Sequence, residues 1–141
     1  MTVLEQAKKK LHEHEETTIV LCRDDVMFTD TARGVAPMLK LINQSINLAG
    51  FSVADKIVGR AAAFLFVYAG IKEVYADVMS YGARQVLELY GISYSFQVIT
   101  ENIINRDGTG ICPMEQAVIG CTDATNAKLM IERKLSQLHG K

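Results

Sequence analysis

The stretch "EVYADVMSYGARQVLELYGISYSFQVI", residues 73–99, decides the fold class. Residues 73–79 predict a strand, and Ser80 is a favourable N-cap for the helix that follows. Apolar residues recur through that helix at helical spacing until Gly91, which ends it. Residues 93–99 then alternate polar and apolar side chains, as a half-buried strand does. Strands that alternate with helices in this way are typical of an α/β sheet.

A hairpin is predicted upstream of this stretch. Residues 17–23 and 26–29 are β-rich and are separated by two aspartates, which are common turn residues. A helix over residues 2–15 precedes the hairpin, and Thr2 with Glu5 three residues later forms a capping box at its start. Further helices are predicted over residues 36–47, 113–119 and 123–138.

The most apolar segment, residues 55–69, is predicted to form a helix that is buried on most sides. Ser52 precedes it, and the sequence from Ser52 to Asp55 has the form of a capping box, with a serine cap and an acid three residues later. Gly70 closes the segment. The elements together predict a three-layer α/β/α sandwich whose mixed sheet begins with an antiparallel hairpin.

Composition indicates one globular domain, with residues 1–16 as an N-terminal helix and residues 17–138 as the core. The 141 residues are 49% hydrophobic and 22% charged, and the net charge of −1 gives no general attraction to nucleic acid or to an anionic membrane. The longest apolar run, residues 61–71, is too short to span a bilayer. A charged N-terminus without an apolar signal core, and three well-separated cysteines, favour a cytoplasmic location. The generous hydrophobic content favours self-association, and we expect a homodimer.

The segment "IINRDGTGICPMEQAV", residues 103–118, contains a candidate site. Pro113 suits the first position of a helix, which places Cys112 at the N-cap and Glu115 at the third helical position. This arrangement imitates a capping box, but a thiol is a poor cap, and a thiol at a helix N-terminus has a lowered pKa. Cys112 is therefore a candidate nucleophile, and a small buried hydrophobe is the alternative. The other two cysteines are expected to be structural.

The loop before Cys112 contains a second group of candidates. A long connection runs from residue 99 to residue 111, and loops of such length are often functional. Arg106 is suited to binding a carboxylate or a phosphate, with Asn105 and Asp107 beside it. An ordinary polar turn is the alternative, because Asp-Gly is a common turn dipeptide.

Three charged residues near the start of the predicted helix over residues 55–69 are further candidates. Asp55 is either a capping acid or a functional carboxylate. Lys56, in the same first turn, opposes the helix dipole, which favours a functional role or a charge partner. Arg60 lies one turn later and precedes a wholly apolar run, so its guanidinium must reach an edge, an acid or a ligand.

The segment "ADKIVGRAAAFL", residues 54–65, followed by the segment over residues 103–118, resembles an uncharacterised bacterial and archaeal family with a cytidine-deaminase-like fold. The resemblance covers most of the chain, roughly residues 17–133. It implies a five-stranded mixed sheet that opens with the hairpin and is flanked by helices.

Zinc deaminases of this fold carry His-x-Glu or Cys-x-Glu at one helix start and Pro-Cys-x-x-Cys at another. The first position is held in this chain by residues 53–55, without histidine or cysteine, and the second by Cys112, with Glu115 in place of the second cysteine. Zinc sites prefer nitrogen and sulfur ligands, so we expect no bound metal, no other cofactor and no conventional zinc-dependent deamination. His12 and His14 lie on a charged helix and are expected to be solvated.

Two functions agree with this pattern. The first is a zinc-independent enzyme acting on a small molecule, with Cys112 as nucleophile, Asp55 or Glu115 as general acid or base, and Lys56 or Arg106 holding an anionic group. The second is a non-catalytic binding or regulatory module that holds a nucleotide-like ligand. The clustered charged residues and thiol favour chemistry, whereas the lack of a histidine in the site favours binding.

Overall fold

The computed structural model describes residues 1–104 and 110–139. It confirms the predicted hairpin, the strand–helix–strand unit and the capping box, in which Thr2 and Glu5 each accept the other's backbone amide. The elements in chain order are α1 (Val3–Glu13), β1 (Ile19–Arg23), β2 (Val26–Asp30), α2 (Ala36–Asn43), β3 (Ser52–Val58), α3 (Arg60–Ala69), β4 (Glu73–Ser80), α4 (Tyr81–Leu89), β5 (Ser93–Thr100), α5 (Pro113–Ala117) and α6 (Ala124–His139).

The five strands form one mixed sheet in the order β2-β1-β3-β4-β5. β1 is antiparallel to both β2 and β3, whereas β3, β4 and β5 run parallel. The five-stranded sheet that opens with a hairpin is therefore confirmed. No helix in the described part of the chain is both long and apolar enough to cross a membrane.

The prediction of a single helix over residues 55–69 is wrong at its start, because Ser52–Val58 is the central strand β3. A strand buried on both faces reads as a continuous apolar run, and here it merges with the apolar helix α3 that follows Gly59. The capping box at Ser52 and Asp55 is wrong for the same reason. The Ser52 hydroxyl instead donates to the Glu73 carboxylate at the start of β4.

The sheet separates two cores of unequal size. The larger core lies between the sheet and the helices α2 to α6, and the smaller one lies under α1, where Ala7 and Leu11 pack against β1, β3 and β4. Cys22 belongs to the smaller core, as the sequence predicts for a structural cysteine. The chain is thus the three-layer sandwich expected, with α1 alone forming one of its layers.

A break in the alternation of side chains crosses all three parallel strands at one level. Ala76 and Met79 in β4 both belong to the larger core, although an odd separation along a regular strand places side chains on opposite faces. The ladder pairing is interrupted at the same level, between the partners of Asp55 and those of Ile57, and again between β4 and β5. Two successive residues per strand are more exposed there than their neighbours, namely residues 56–57, 77–78 and 97–98. This sheet break resembles a β-bulge repeated across three strands.

The N-cap of α4 provides a test of the fold. The Ser80 hydroxyl accepts from the Ala83 amide at 3.0 Å, and Ser80 is buried. We expect Ser80→Ala to lower the free energy of unfolding by about 1 kcal/mol, because the Ala83 amide at the helix start loses its hydrogen-bond acceptor. Urea denaturation measures the change. The matched control is Ser136→Ala on the exposed side of α6, where alanine is the better helix former and stability should not fall.

Candidate functional site

The start of α3 is held by a carboxylate from a distant part of the chain. The N-cap of α3 is Gly59, which has no side chain to bond the first amides of the helix. Glu115 of α5 supplies the missing acceptors: its Oε1 accepts from the Arg60 amide at 2.7 Å and its Oε2 accepts from the Ala61 amide at 2.9 Å. One carboxylate therefore caps a helix that begins 55 residues before it.

Gly59 is the residue that makes room for this contact. A Cβ atom placed on Gly59 would lie 2.6 to 2.7 Å from the three carboxyl atoms of Glu115, which is closer than van der Waals contact allows. The two segments that carry the resemblance, residues 54–65 and 103–118, are thus joined through Gly59 and Glu115. We call this contact the Glu115 clamp.

The surroundings of Glu115 act on its ionisation in opposing directions. Burial raises the pKa of the Glu115 carboxyl above its ordinary value, while the hydrogen bonds from the Ala61 and Arg60 amides and the charge of Arg60 partly lower it again. Both oxygens accept from N–H groups, so the geometry fits the ionised form.

Cys112 stands at the N-cap of α5, as the sequence predicts. Its thiol makes no capping hydrogen bond, is half-buried and packs against the larger core. In a true capping box the third helical residue would accept from the N-cap amide, but Glu115 does not accept from the Cys112 amide. Glu115 bonds α3 instead, and the Cys112 amide donates to the Ile103 carbonyl at 2.9 Å.

Asp55 lies inside β3 rather than at a helix start, and it is only 7% exposed. Its strand partners, Ile19 on β1 and Ala76 on β4, place it on the side of the larger core. Its Oδ1 accepts from the Ile57 amide at 3.3 Å, directly at the sheet break. Burial raises its pKa to about 8, against the lowering effect of the backbone hydrogen bonds from Ile57 and Lys56.

Lys56 and Arg60 direct their charged groups to partners other than Asp55. The Lys56 ammonium donates to the Glu15 carbonyl, which lies after α1 on the other side of the sheet. The Arg60 guanidinium bonds the Gly82 carbonyl and the Gln85 side chain of α4 at 3.4 and 3.3 Å. The prediction that Lys56 occupies a first helical turn is therefore wrong, because that residue belongs to a strand.

The predicted site residues fall into separate places. The backbone of Arg60, the Cys112 N-cap and the Glu115 carboxylate come together at the carboxyl end of β3. Asp55 precedes Gly59 by four residues, a span of about 13 Å along an extended strand. Three further predicted ligand-binding residues, Asn105, Arg106 and Asp107, lie outside the described residues.

A hydrogen-bonded group on the α1 side was not predicted. Asp77 Oδ1 lies 2.8 Å from His12 Nε2 and accepts from the Tyr75 hydroxyl at 2.7 Å. His12 is exposed, as expected, but it is also tied to the sheet. An acid in the middle of the apolar strand β4 is the one local indication of such a partner, since a half-buried carboxylate needs donors.

The described residues do not fit the zinc site of deaminases with this fold. Within residues 1–104 and 110–139, no three His, Cys, Asp or Glu side chains are grouped to hold a metal ion. Cys112 is a single soft donor, Glu115 is engaged by two amides, and Asp55 lies along the strand. Zinc sites in enzymes need three protein ligands on one centre.

Two hollows on the described surface lie away from the Glu115 clamp. One is lined by Tyr68 of α3 together with residues 123–132 at the start of α6. The other lies between the hairpin and α2, where Phe28 and Lys40 are among its lining residues. Neither hollow includes a predicted site residue.

Comparison with known proteins defines the family. The chain is similar to the crystal structure of a DUF1893 family protein from Thermotoga maritima, with 26% identity, 97% of this chain and 91% of that chain covered, and a TM-score of 0.81. It is also similar to the apo dCMP deaminase of cyanophage S-TIM5, with 12% identity, 67% of this chain and 93% of that chain covered, and a TM-score of 0.46. A likeness at that second level says nothing of ligand or activity. No curated protein matches the chain.

The family model of TM1506, described as a domain of unknown function (DUF1893), matches residues 6–135. The match extends over nearly the whole chain, and it confirms the resemblance to an uncharacterised family that the two sequence segments indicated. The chain therefore belongs to the TM1506 family, a domain of unknown function.

Proposed function

We propose that this protein binds a small molecule at the carboxyl edge of β3, β4 and β5, beside the Glu115 clamp, and that it does so without zinc chemistry. The observation that supports the place is the clamp itself, in which Glu115 lies over the backbone of Gly59, Arg60 and Ala61. Ligands of open α/β sheets bind outside the carboxyl ends of the parallel strands, which is where the clamp lies.

The ligand class follows from the groups at this edge. Amides at the start of α3 already hold a carboxylate, so this helix start accepts anions. A small molecule with a carboxylate or a phosphate group suits it in exchange with Glu115. A nucleotide carries a phosphate group and is one member of that class. Cys112 lies three residues before Glu115 and is the half-exposed thiol next to that position.

Binding is better supported than catalysis. A general acid or base must release or take up a proton at the reacting atom, but both Glu115 oxygens are occupied by backbone donors. Asp55 is nearly enclosed and lies about 13 Å along the strand from Gly59. The second candidate, a zinc-independent enzyme with Cys112 as nucleophile, is favoured only by the accessibility of that thiol.

The proposal is tested by native mass spectrometry of the protein as purified, followed by thermal-shift titration with nucleoside monophosphates and small dicarboxylates. A bound mass or a saturable shift, lost in Glu115→Gln or Cys112→Ser, supports the proposal. Retention of the same shift in both variants would place binding elsewhere, for example in the hollow between the hairpin and α2.

The first prediction concerns thiol reactivity. We expect iodoacetamide to label Cys112 first in the folded protein, because Cys22 and Cys121 are buried. Peptide mass spectrometry over a time course gives the three rates, and urea-unfolded protein is the control in which all three react. Earlier labelling of either buried cysteine contradicts the expectation. A ligand found by thermal shift should slow labelling of Cys112 alone.

The second prediction concerns the Glu115 clamp. We expect Gly59→Ala to lower the free energy of unfolding by about 1–3 kcal/mol, because the new methyl group overpacks the contact with Glu115. The same change should cost much less in a Glu115→Ala background, where the carboxyl group is gone. Urea denaturation of the four proteins yields the coupling energy. Gly110→Ala is the matched control, since a Cβ there meets no atom of residues 1–104 and 110–139 within 4 Å. Additive effects of the two changes would mean that Gly59 and Glu115 are not in contact.

The third prediction concerns Asp55 and pH. Its folded pKa is raised to about 8 from an ordinary 3.8, so between those values the unfolded chain releases a proton that the folded chain keeps. Ionisation thus favours the unfolded state, and stability falls as pH rises through this window, by at most about 1.4 kcal/mol per pH unit.

We therefore expect the difference in unfolding free energy between Asp55→Asn and the wild type to shift in favour of Asp55→Asn as pH rises from about 4 to about 8. Above about pH 8 the difference should stay constant. Urea unfolding across the window measures it. Asp25→Asn, in the exposed turn of the hairpin, is the control for loss of one carboxylate. A difference between Asp55→Asn and the wild type that is independent of pH would show that Asp55 ionises freely in the folded protein.

A further inference from the structure

The strand β5 forms one edge of the sheet and lacks the usual protection of an edge. It pairs with β4 on one side, and none of the described elements pairs with its other side. Its eight residues, Ser93–Thr100, include no charged residue, no proline and no glycine. Natural edge strands are commonly blunted by lysine, proline, shortness or bulges, and an unprotected edge pairs with another strand.

The strand at the opposite edge of the sheet, β2, is protected. β2 has five residues, Val26–Asp30, and two aspartates precede it in the turn. Its last residue, Asp30, turns its carboxylate onto the Thr31 and Ala32 amides at 2.7 and 2.9 Å, which ends the strand. β5 differs from β2 in length and in its lack of charge.

We propose that the edge of β5 pairs antiparallel with β5 of a second copy of this chain, giving a continuous ten-stranded sheet across a two-fold axis. This inference is independent of the proposed ligand site. Backbone N–H and C=O groups on the open side of β5 gain partners in such a pair, and a two-fold interface uses the same surface of both copies.

The side chains of β5 select the register. Alternation is regular from Ser93 to Gln97, before the sheet break reaches the strand. A two-fold axis at Ser95 places Tyr94 of each copy opposite Phe96 of the other. It also places Ser93 of each copy opposite Gln97 of the other. Tyr94 and Phe96 both pack on the larger core, and the exposed residues Ser93, Ser95 and Gln97 share the other face, so every pair joins side chains of one face.

The helix layer allows the two copies to approach. α4 packs on both β4 and β5, so its axis lies about one strand spacing from the two-fold axis. The two α4 helices are then separated by two spacings, about 9.6 Å, which lies within the 8–10 Å of packed helices. The spacing of the extended sheet therefore matches the spacing of two packed α4 helices.

Charges on α4 complement each other across the axis. Glu88 accepts the Tyr94 hydroxyl, which places it on the β5 side of α4, and Arg84 lies one turn earlier on that side. Within the described part of the chain, Arg84 Nε is buried without a hydrogen-bond partner. In an antiparallel pair of α4 helices, the sides that face the second copy therefore carry both a guanidinium and a carboxylate.

Light scattering at tens of micromolar tests the proposal. We expect the wild type to have twice the chain mass of 15.6 kDa and Ser95→Lys to have the single mass, because two lysines directly opposite each other repel. Thr29→Lys puts the same charge on the exposed face of β2 and should leave the dimer intact. A monomeric wild type, or a dimer that survives Ser95→Lys but not Thr29→Lys, overturns the proposal.

Cross-linking tests the register directly and does not depend on the lysine variants. In a Cys112→Ser background, Ser95→Cys places two thiols opposite each other, with Cα atoms about 4.5–5.5 Å apart, within the range for a disulfide. We expect mild oxidation to give a covalent dimer of Ser95→Cys and not of Thr29→Cys. Cross-linking of Thr29→Cys alone would assign the interface to β2.

Discussion

The contact between the Glu115 carboxylate and the first two amides of α3 fixes the arrangement of the helix layer. α3 is the helix that α2, α4, α5 and α6 all touch, and its start has no cap of its own. Glu115 closes that start and in the same step sets the position of α5 and of Cys112. Gly59 is required because no side chain fits beneath the carboxylate. Two segments far apart in sequence thereby act as one structural unit.

The same unit differs in its chemistry from the join between two helix starts in a zinc deaminase. Those enzymes join two helix starts through a metal and its ligands, with a glutamate that moves protons. Here the link between the α3 and α5 starts is made by the protein's own carboxylate. Both oxygens of the carboxylate take part in this join, one on each of the first two amides of α3. If the proposed ligand exchanges with Glu115, its binding weakens the contact between α5 and α3.

Sequence reasoning predicted the parts of the fold that are encoded locally. The hairpin, the Thr2 and Ser80 caps, and the unit from β4 to β5 each depend on residues a few positions apart, and all are confirmed. β3 was missed because a strand buried on both faces has no period that separates it from an apolar helix. Cys112 was placed correctly at its N-cap, yet the partners of Glu115 and His12 lie 55 and 65 residues away, and no local pattern encodes such distances.

The sheet break makes the lengths of three distant segments of the chain depend on one another. Beyond it, Val58 and Met79 face the larger core only because each strand has shifted its alternation once. Deleting one residue there from β4 alone would restore regular alternation, so Met79 would still face the larger core, but β4 would become one residue shorter than β3 and β5 at this level. Insertions and deletions at this level are therefore acceptable only when β3, β4 and β5 change together. Homologous chains should vary in length in their loops and keep the spacing from the break to the carboxyl edge.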